Sequence, residues 1–344
     1  MTVKITRPSI DIRGTLDELN KPSGIAGNAM LAAETPQEQF NLIGAGRKNL
    51  LINSEFRVNQ RGNTSFSGIA GAYGYLSDRW ITYANGVAIS ASVYSVTLPD
   101  GTVANSLKTV ATTAASSFFH PYQRVETYGR DFLNGKKVVL SAWVRTNAPN
   151  QFFRLCDTVE CYALGDEIPS DGEWHKLSVV HTLRTNLNTG ATNFMQFHPA
   201  FGVSALAVGD YVEFALPQME LGSVATPFEH RSYGEELALC QRYYYEITDA
   251  GQPAYSAVLR ATSGSGIQQY SQEIFLPVIM RVTPMVVITY LDMHKPGVLY
   301  DAINYVDIVP RTHSVGFRFS VANPHPQSIA CQVRDFFISL DAEL

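Results

Sequence analysis

The stretch Val138–Arg145 (VVLSAWVR) decides how this chain is read. Its β-branched and aromatic residues suit a pleated ladder, and the turn pair Asn134-Gly135 stands just before it. Alternation places Val138, Leu140, Ala142 and Val144 on one face and Val139, Ser141, Trp143 and Arg145 on the other. The aliphatic face is the one a core would take.

Working outward, the same texture recurs. Val87–Val96 alternates loosely and ends near the turn Pro99-Asp100-Gly101, while Trp174–Leu183 and Tyr211–Leu216 each follow an Asp-Gly or Gly-Asp turn. Upstream, Leu50, Leu51 and Ile52 lead into Phe56 and Val58 as an opening strand, closed by the turn Arg61-Gly62-Asn63. Short strands at regular spacing, with no alternation of strand and helix, predict an antiparallel β-sandwich over residues 48–231.

Either side of it the pattern changes. Ser232 with Glu235 spells a capping box, and Leu237, Cys240, Gln241 and Tyr244 fall on one helical face, which predicts a linking helix over 232–246. Beyond it, Ala254–Leu259, Gln268–Phe275, Met285–Leu291, Gly316–Val321 and Asp335–Leu340 read as strands of a second β-sandwich over 247–344. Residues 1–47 read as short helices, with Thr15 and Glu18, then Thr35, Pro36 and Glu38, as starts, and Gly44 and Gly46 as the stop. Isolated helices under about 12–15 residues are marginal in water, so this segment reads as a docking arm. The fold class expected is mainly β.

Composition bounds the function. Charged residues make up 17% of the 344, low against about 25% in typical domains, which suits surface hidden in an oligomer. A net charge of -5 without any basic run argues against nucleic acid as the ligand. Met1–Ser9 lacks the apolar region of a signal peptide and no stretch is long enough to span a membrane, so the expectation is a protein made in the cytoplasm without membrane insertion. Cys156, Cys161, Cys240 and Cys331 are too scattered for a disulfide framework.

Three stretches together resemble bacteriophage tail fibre proteins: Arg47–Gly62 (RKNLLINSEFRVNQRG) with Ser77-Asp78-Arg79-Trp80, then Asp171–Leu177 (DGEWHKL), and Gln218–Tyr245 (QMELGSVATPFEHRSYGEELALCQRYYY). The resemblance covers about residues 15–245. It implies a jelly-roll sandwich similar to carbohydrate-binding modules, a homotrimer, and a virion protein attached to the tail or baseplate through residues 1–47. The function implied is receptor binding, that is, attachment of the virion to a host surface polysaccharide or protein. The rival readings are a structural baseplate or tail spacer that binds no glycan, and a glycan-depolymerising tailspike.

Candidate binding residues follow from this. Trp143 beside Arg145 offers an aromatic plate and a hydrogen-bonding head, as a sugar ring needs; the other reading, and the preferred one, covers both sheet faces and makes Trp143 packing. Tyr122 and Arg124 (HPYQRVE) are candidates for a cleft, and Tyr290, His294, Tyr300, Tyr305 and His325 for the tip. Glu55 and Glu220, near the start and end of the sandwich, are candidates for a structural calcium, the one cofactor considered. G-x-S-x-G, P-loop, G-x-G-x-x-G and H-E-x-x-H motifs are all missing, so no enzyme is expected, although an opposed pair of carboxylates stays open.

Overall fold

Nineteen strands and one helix occupy the described residues of the computed structural model, which are 48–69, 71–126, 133–156, 163–185, 194–201, 204–248, 268–294, 303–321 and 332–343. The expected helical arm over 1–47 and the expected strand Ala254–Leu259 lie outside them. The first strands are β1 (Ser65–Gly68), β2 (Tyr73–Ser77), β3 (Trp80–Asn85), β4 (Ile89–Thr97), β5 (Val103–Ala111) and β6 (Ala115–Glu126). Next come β7 (Lys137–Thr146), β8 (Phe152–Cys156), β9 (Ala163–Glu167), β10 (His175–Thr182), β11 (Phe194–Phe201), β12 (Ser204–Leu206) and β13 (Tyr211–Leu221). After the helix α1 (Tyr233–Gln241) follow β14 (Tyr244–Thr248), β15 (Gln268–Phe275), β16 (Met285–His294), β17 (Ile303–Pro310), β18 (Ser314–Val321) and β19 (Gln332–Asp341).

The first thirteen strands form two antiparallel sheets. One runs β1-β4-β5-β13-β7-β10, the other β2-β3-β6-β11-β8-β9 with β12 added beside β6. Val138, Leu140, Ala142 and Val144 of β7 enter the shared core as the alternation predicts. At its centre Phe56, Trp80 and Phe214 meet with ring centroids 5.2 to 5.3 Å apart. Edge and tilted contacts of this kind suit the aromatic quadrupole.

The opening strand expected from Leu50 to Val58 is not formed. This segment is irregular, and Asn53 and Phe56 take positive φ of 56° and 52°. Buried polar side chains replace the ladder. Gln123 Oε1 accepts from Ile52 N (2.8 Å) and Gln123 Nε2 donates to Ile52 O (2.6 Å), so one amide side chain stands in for a neighbouring strand. Asn53 Oδ1 accepts from Val58 N, and Asn49 Oδ1 accepts from Leu51 N and from Met219 N. Asn side chains compete for backbone groups in this way and divert the chain from regular structure.

Ser232 caps the helix, its Oγ accepting from Glu235 N. The helix is shorter than its periodicity suggested: it ends at Gln241, and Tyr244 opens β14 instead of continuing the apolar face. The ladder with β19, in which Tyr244 pairs with Asp341, competes successfully for that backbone. Cys240 and Tyr243 pack with Ile52 and Val58, so the helix closes over the irregular segment.

The remaining strands form two three-stranded sheets, β14-β19-β16 and β15-β18-β17, all antiparallel. A charged junction ties the first of them to the sandwich. Arg79, in the turn between β2 and β3, pairs with Glu343, and both are almost fully buried. Arg61 lies 3.4 Å from Asp341, 3.6 Å from Asp78 and 3.7 Å from Glu343, and its guanidinium stacks on Tyr244.

Candidate functional site

On the outer face of the six-stranded sheet, β13 carries a defect. Its register jumps between Ala215, opposite Trp143, and Gln218, opposite Ser141. Leu216, inside the bulge, has φ 49°, a region that costs a non-glycine residue roughly 1–2 kcal/mol. Bulges of this sort re-aim side chains beside functional sites. This one borders an open groove of about 350 Å³.

Trp143 and Ser141 of β7, with Leu216 and Gln218 of β13, line the middle of that groove. Asp100 and Thr102, at the tip of the β4–β5 hairpin, and Lys176 of β10 supply its polar rim. The segment Thr226–His230 walls it, with Phe228 and His230 in edge contact at 5.0 Å. Trp143 serves packing as well: partly buried, it joins Leu98, Ala104, Ala215, Leu216 and Trp174 in a satellite apolar cluster. Strand register places Lys176 directly across from Trp143, and the ammonium stands 5.9 Å from the ring centroid. Asp100 Oδ1 accepts from Thr102 N at 3.0 Å. That bond, then one from the Thr102 side chain and more weakly the Lys176 charge, holds the Asp100 carboxyl below its usual range.

Arg145 is directed elsewhere. Its Nη2 meets Glu213 at 2.8 Å and its guanidinium stacks on Trp174 at 4.6 Å. Glu213 is 1% exposed and also accepts from Ser106 Oγ at 2.5 Å. Arg145 therefore neutralises a buried carboxylate.

Tyr122 and Arg124 lie on β6 of the opposite sheet. Tyr122 is buried, which raises its phenol pKa, and Arg124 Nη2 reaches its hydroxyl at 3.4 Å. Tyr73, 70% exposed, belongs to the same face, through its pairing with Tyr83. Tyr290 and His294 fall in β16 and Tyr305 in β17, with side chains outside the described residues, as are Tyr300 and His325 altogether. Glu220 accepts from Gln218 Nε2, Thr226 N and Thr226 Oγ1, whereas Glu55 meets Arg57 and His230, so the two carboxylates share no partner. Among the described residues no group of three or more His, Cys, Asp and Glu side chains is placed to hold a metal ion.

Sequence reading missed Asp100, Lys176, Phe228 and His230. Asp100 stood in a turn signal and Lys176 in DGEWHKL, but only the pairing of β10 with β7 brings a cation over the tryptophan.

No protein-family model matches the chain, and no curated protein matches it. Among solved structures it is similar to a Stig cyclase from Fischerella sp. TAU, with 11% identity, 52% of this chain and 100% of that one covered, and a TM-score of 0.34. It is also similar to a xylan-binding domain from Paenibacillus barcinonensis, with 14% identity, 46% and 99% coverage, and a TM-score of 0.29. A third is the N-terminal part of a xylanase from Clostridium thermocellum complexed with xylohexaose, with 14% identity, 49% and 30% coverage, and a TM-score of 0.27.

Proposed function

We propose that this protein is a non-catalytic glycan-binding adhesin, a phage tail fibre (receptor-binding) protein that holds a virion to a bacterial surface polysaccharide. The observation that carries the reading is Trp143: an aromatic plate on the outer face of a sheet, set in an open groove with polar groups at its rim. Sugar rings bind through such plates, their C–H face on the ring and their hydroxyls on nearby polar groups.

The tail fibre part of the reading rests on the three stretches that carry the resemblance. Two of them meet in one buried polar cluster, which supports treating them as one structural signature. Arg231 donates to Leu51 O and Asn49 O, Glu229 accepts from Asn49 N, and Glu236 accepts from Asn53 N. A homotrimer, with attachment to the tail or baseplate through residues 1–47, completes the proposal. Exposed apolar side chains of the C-terminal part, Phe275 (72%) of β15, Met285 (65%) of β16 and Ile279 (68%) between them, support a subunit contact there. Three-fold presentation would make weak single sites effective by raising local concentration.

The test is adsorption of the full chain to host cells, with extracted surface polysaccharide as competitor. Saturable binding that the polysaccharide displaces, and that Trp143→Ala abolishes, is the expected result. A folded chain that adsorbs to no cell and no polysaccharide replaces this reading with that of a structural spacer.

A further inference from the structure

We infer that the Trp143 groove selects neutral sugars, one or two pyranose rings at a time, over acidic ones; the inference rests on the glycan reading above. Its basis is which polar groups around the groove remain available. Gln218 and Thr226 are committed to Glu220. Arg145 and Lys108, on the same sheet face, are committed to Glu213. His230 gives its Nδ1 to Glu55 at 2.9 Å, which leaves Nε2 as its only free ring nitrogen. Two charged groups stay free: among the described residues neither Asp100 nor Lys176 makes an ion pair, and each lines the groove.

These two carry opposite charges and line the same groove. Asp100, although it accepts from Thr102, keeps lone pairs for sugar hydroxyls, and Lys176 brings three donors. A vicinal diol lying on Trp143 can satisfy both at once. A uronate or sialate carboxylate in the groove, in contrast, meets the like charge of Asp100 as well as the Lys176 ammonium, which offsets its attraction. An amino sugar meets the mirror-image problem at Lys176. The volume of about 350 Å³ sits at the small end of the roughly 300–1,000 Å³ of small-molecule sites, which suits contact with one or two sugar rings.

The experiment uses the folded full chain on immobilised neutral glycosides (methyl glucosides, galactosides and mannosides, maltose, cellobiose) and on glucuronate- and sialate-bearing glycans. Trp143→Ala, Lys176→Met and Asp100→Lys are run beside it, with near-ultraviolet circular dichroism as the check on folding. At least one neutral sugar should bind, at least tenfold more tightly than its uronate counterpart. That binding should vanish in Trp143→Ala and fall about tenfold in Lys176→Met, the loss expected for a hydrogen bond to a charged group. Asp100→Lys, at an exposed turn, should shift the preference toward acidic sugars by about tenfold or more. Trp143-dependent binding confined to acidic glycans overturns the neutral class and leaves the glycan reading standing. Absence of any glycan binding, or binding unchanged by Trp143→Ala, overturns the glycan reading itself.

Discussion

Replacing Arg79 by Met should loosen the C-terminal sheets from the sandwich. Arg79 is 2% exposed and Glu343 6%, so neither charge has water as a fallback when the other is removed. In Arg79→Met the Glu343 carboxylate stays buried, with Arg61 as its nearest cation at 3.7 Å. Breaking one side of a buried pair costs about 3–5 kcal/mol, far above the roughly 0–1 kcal/mol of an exposed pair. The stacking of Arg79 on Tyr243, centred 3.5 Å away, adds about 0.5–2 kcal/mol. The total, on the order of 4–6 kcal/mol, corresponds to a fall in Tm of roughly 10 °C or more. It is read by thermal melting, and by amide exchange along β19, which should lose protection before the sandwich does. The double variant Arg79→Met with Glu343→Leu should recover part of the loss, because removing both partners leaves no orphaned charge. A cost below about 1 kcal/mol for Arg79→Met, or strict additivity in the double variant, refutes the argument, since either result means that the pair is effectively solvated.

Gln123→Leu should cost about 2–4 kcal/mol, because it strands both Ile52 N and Ile52 O in the interior; urea unfolding measures it, and a cost near zero would show that water replaces the amide. Gly165→Ala should destabilise by about 1–3 kcal/mol, because its new Cβ would stand 2.3 Å from Phe153 O; an unchanged urea midpoint counts against the close approach of β8 and β9. The junction also sets a pH response, because two guanidiniums (Arg61, Arg79) face three carboxylates (Asp78, Asp341, Glu343) and burial pushes the pKa of both Asp78 and Glu343 up. A carboxyl whose folded pKa is raised contributes stability that is fully present below its unfolded value and is lost as pH rises through the folded value. Melting temperature should therefore hold or rise on acidification from neutrality toward the unfolded values of 3.8 and 4.5, and Asp78→Asn should reduce that slope; an unaltered slope in the variant would remove Asp78 as its source.

How legible each part was in the sequence depended on the range of the interaction that forms it. The strands β7, β10 and β15 were readable because alternation and Gly or Asn turns act within a few residues. Ser232 was readable as a cap for the same reason. The segment Leu50–Val58 reads as a strand because its apolar content is that of one, whereas side chains take several of its backbone groups, including Gln123, 71 positions from Ile52. The apolar spacing to Tyr244 overextends the helix, because it gives no sign that β19 claims that residue's backbone.

By itself, then, the sequence determined the all-β class, the turns, the helix start and the face of β7 on which Trp143 lies, since each is set by local stereochemistry and a period of two. The tertiary structure alone decided what surrounds that tryptophan. Lys176 reaches it through the register of β10 on β7, the groove beside it opens at a bulge in β13, and Arg145 turns away to a buried Glu213. Arg79 and Glu343, 264 positions apart, likewise become partners only on folding. Register and burial arise from closing long loops around one core, and no short window of residues records which partners that closure brings together.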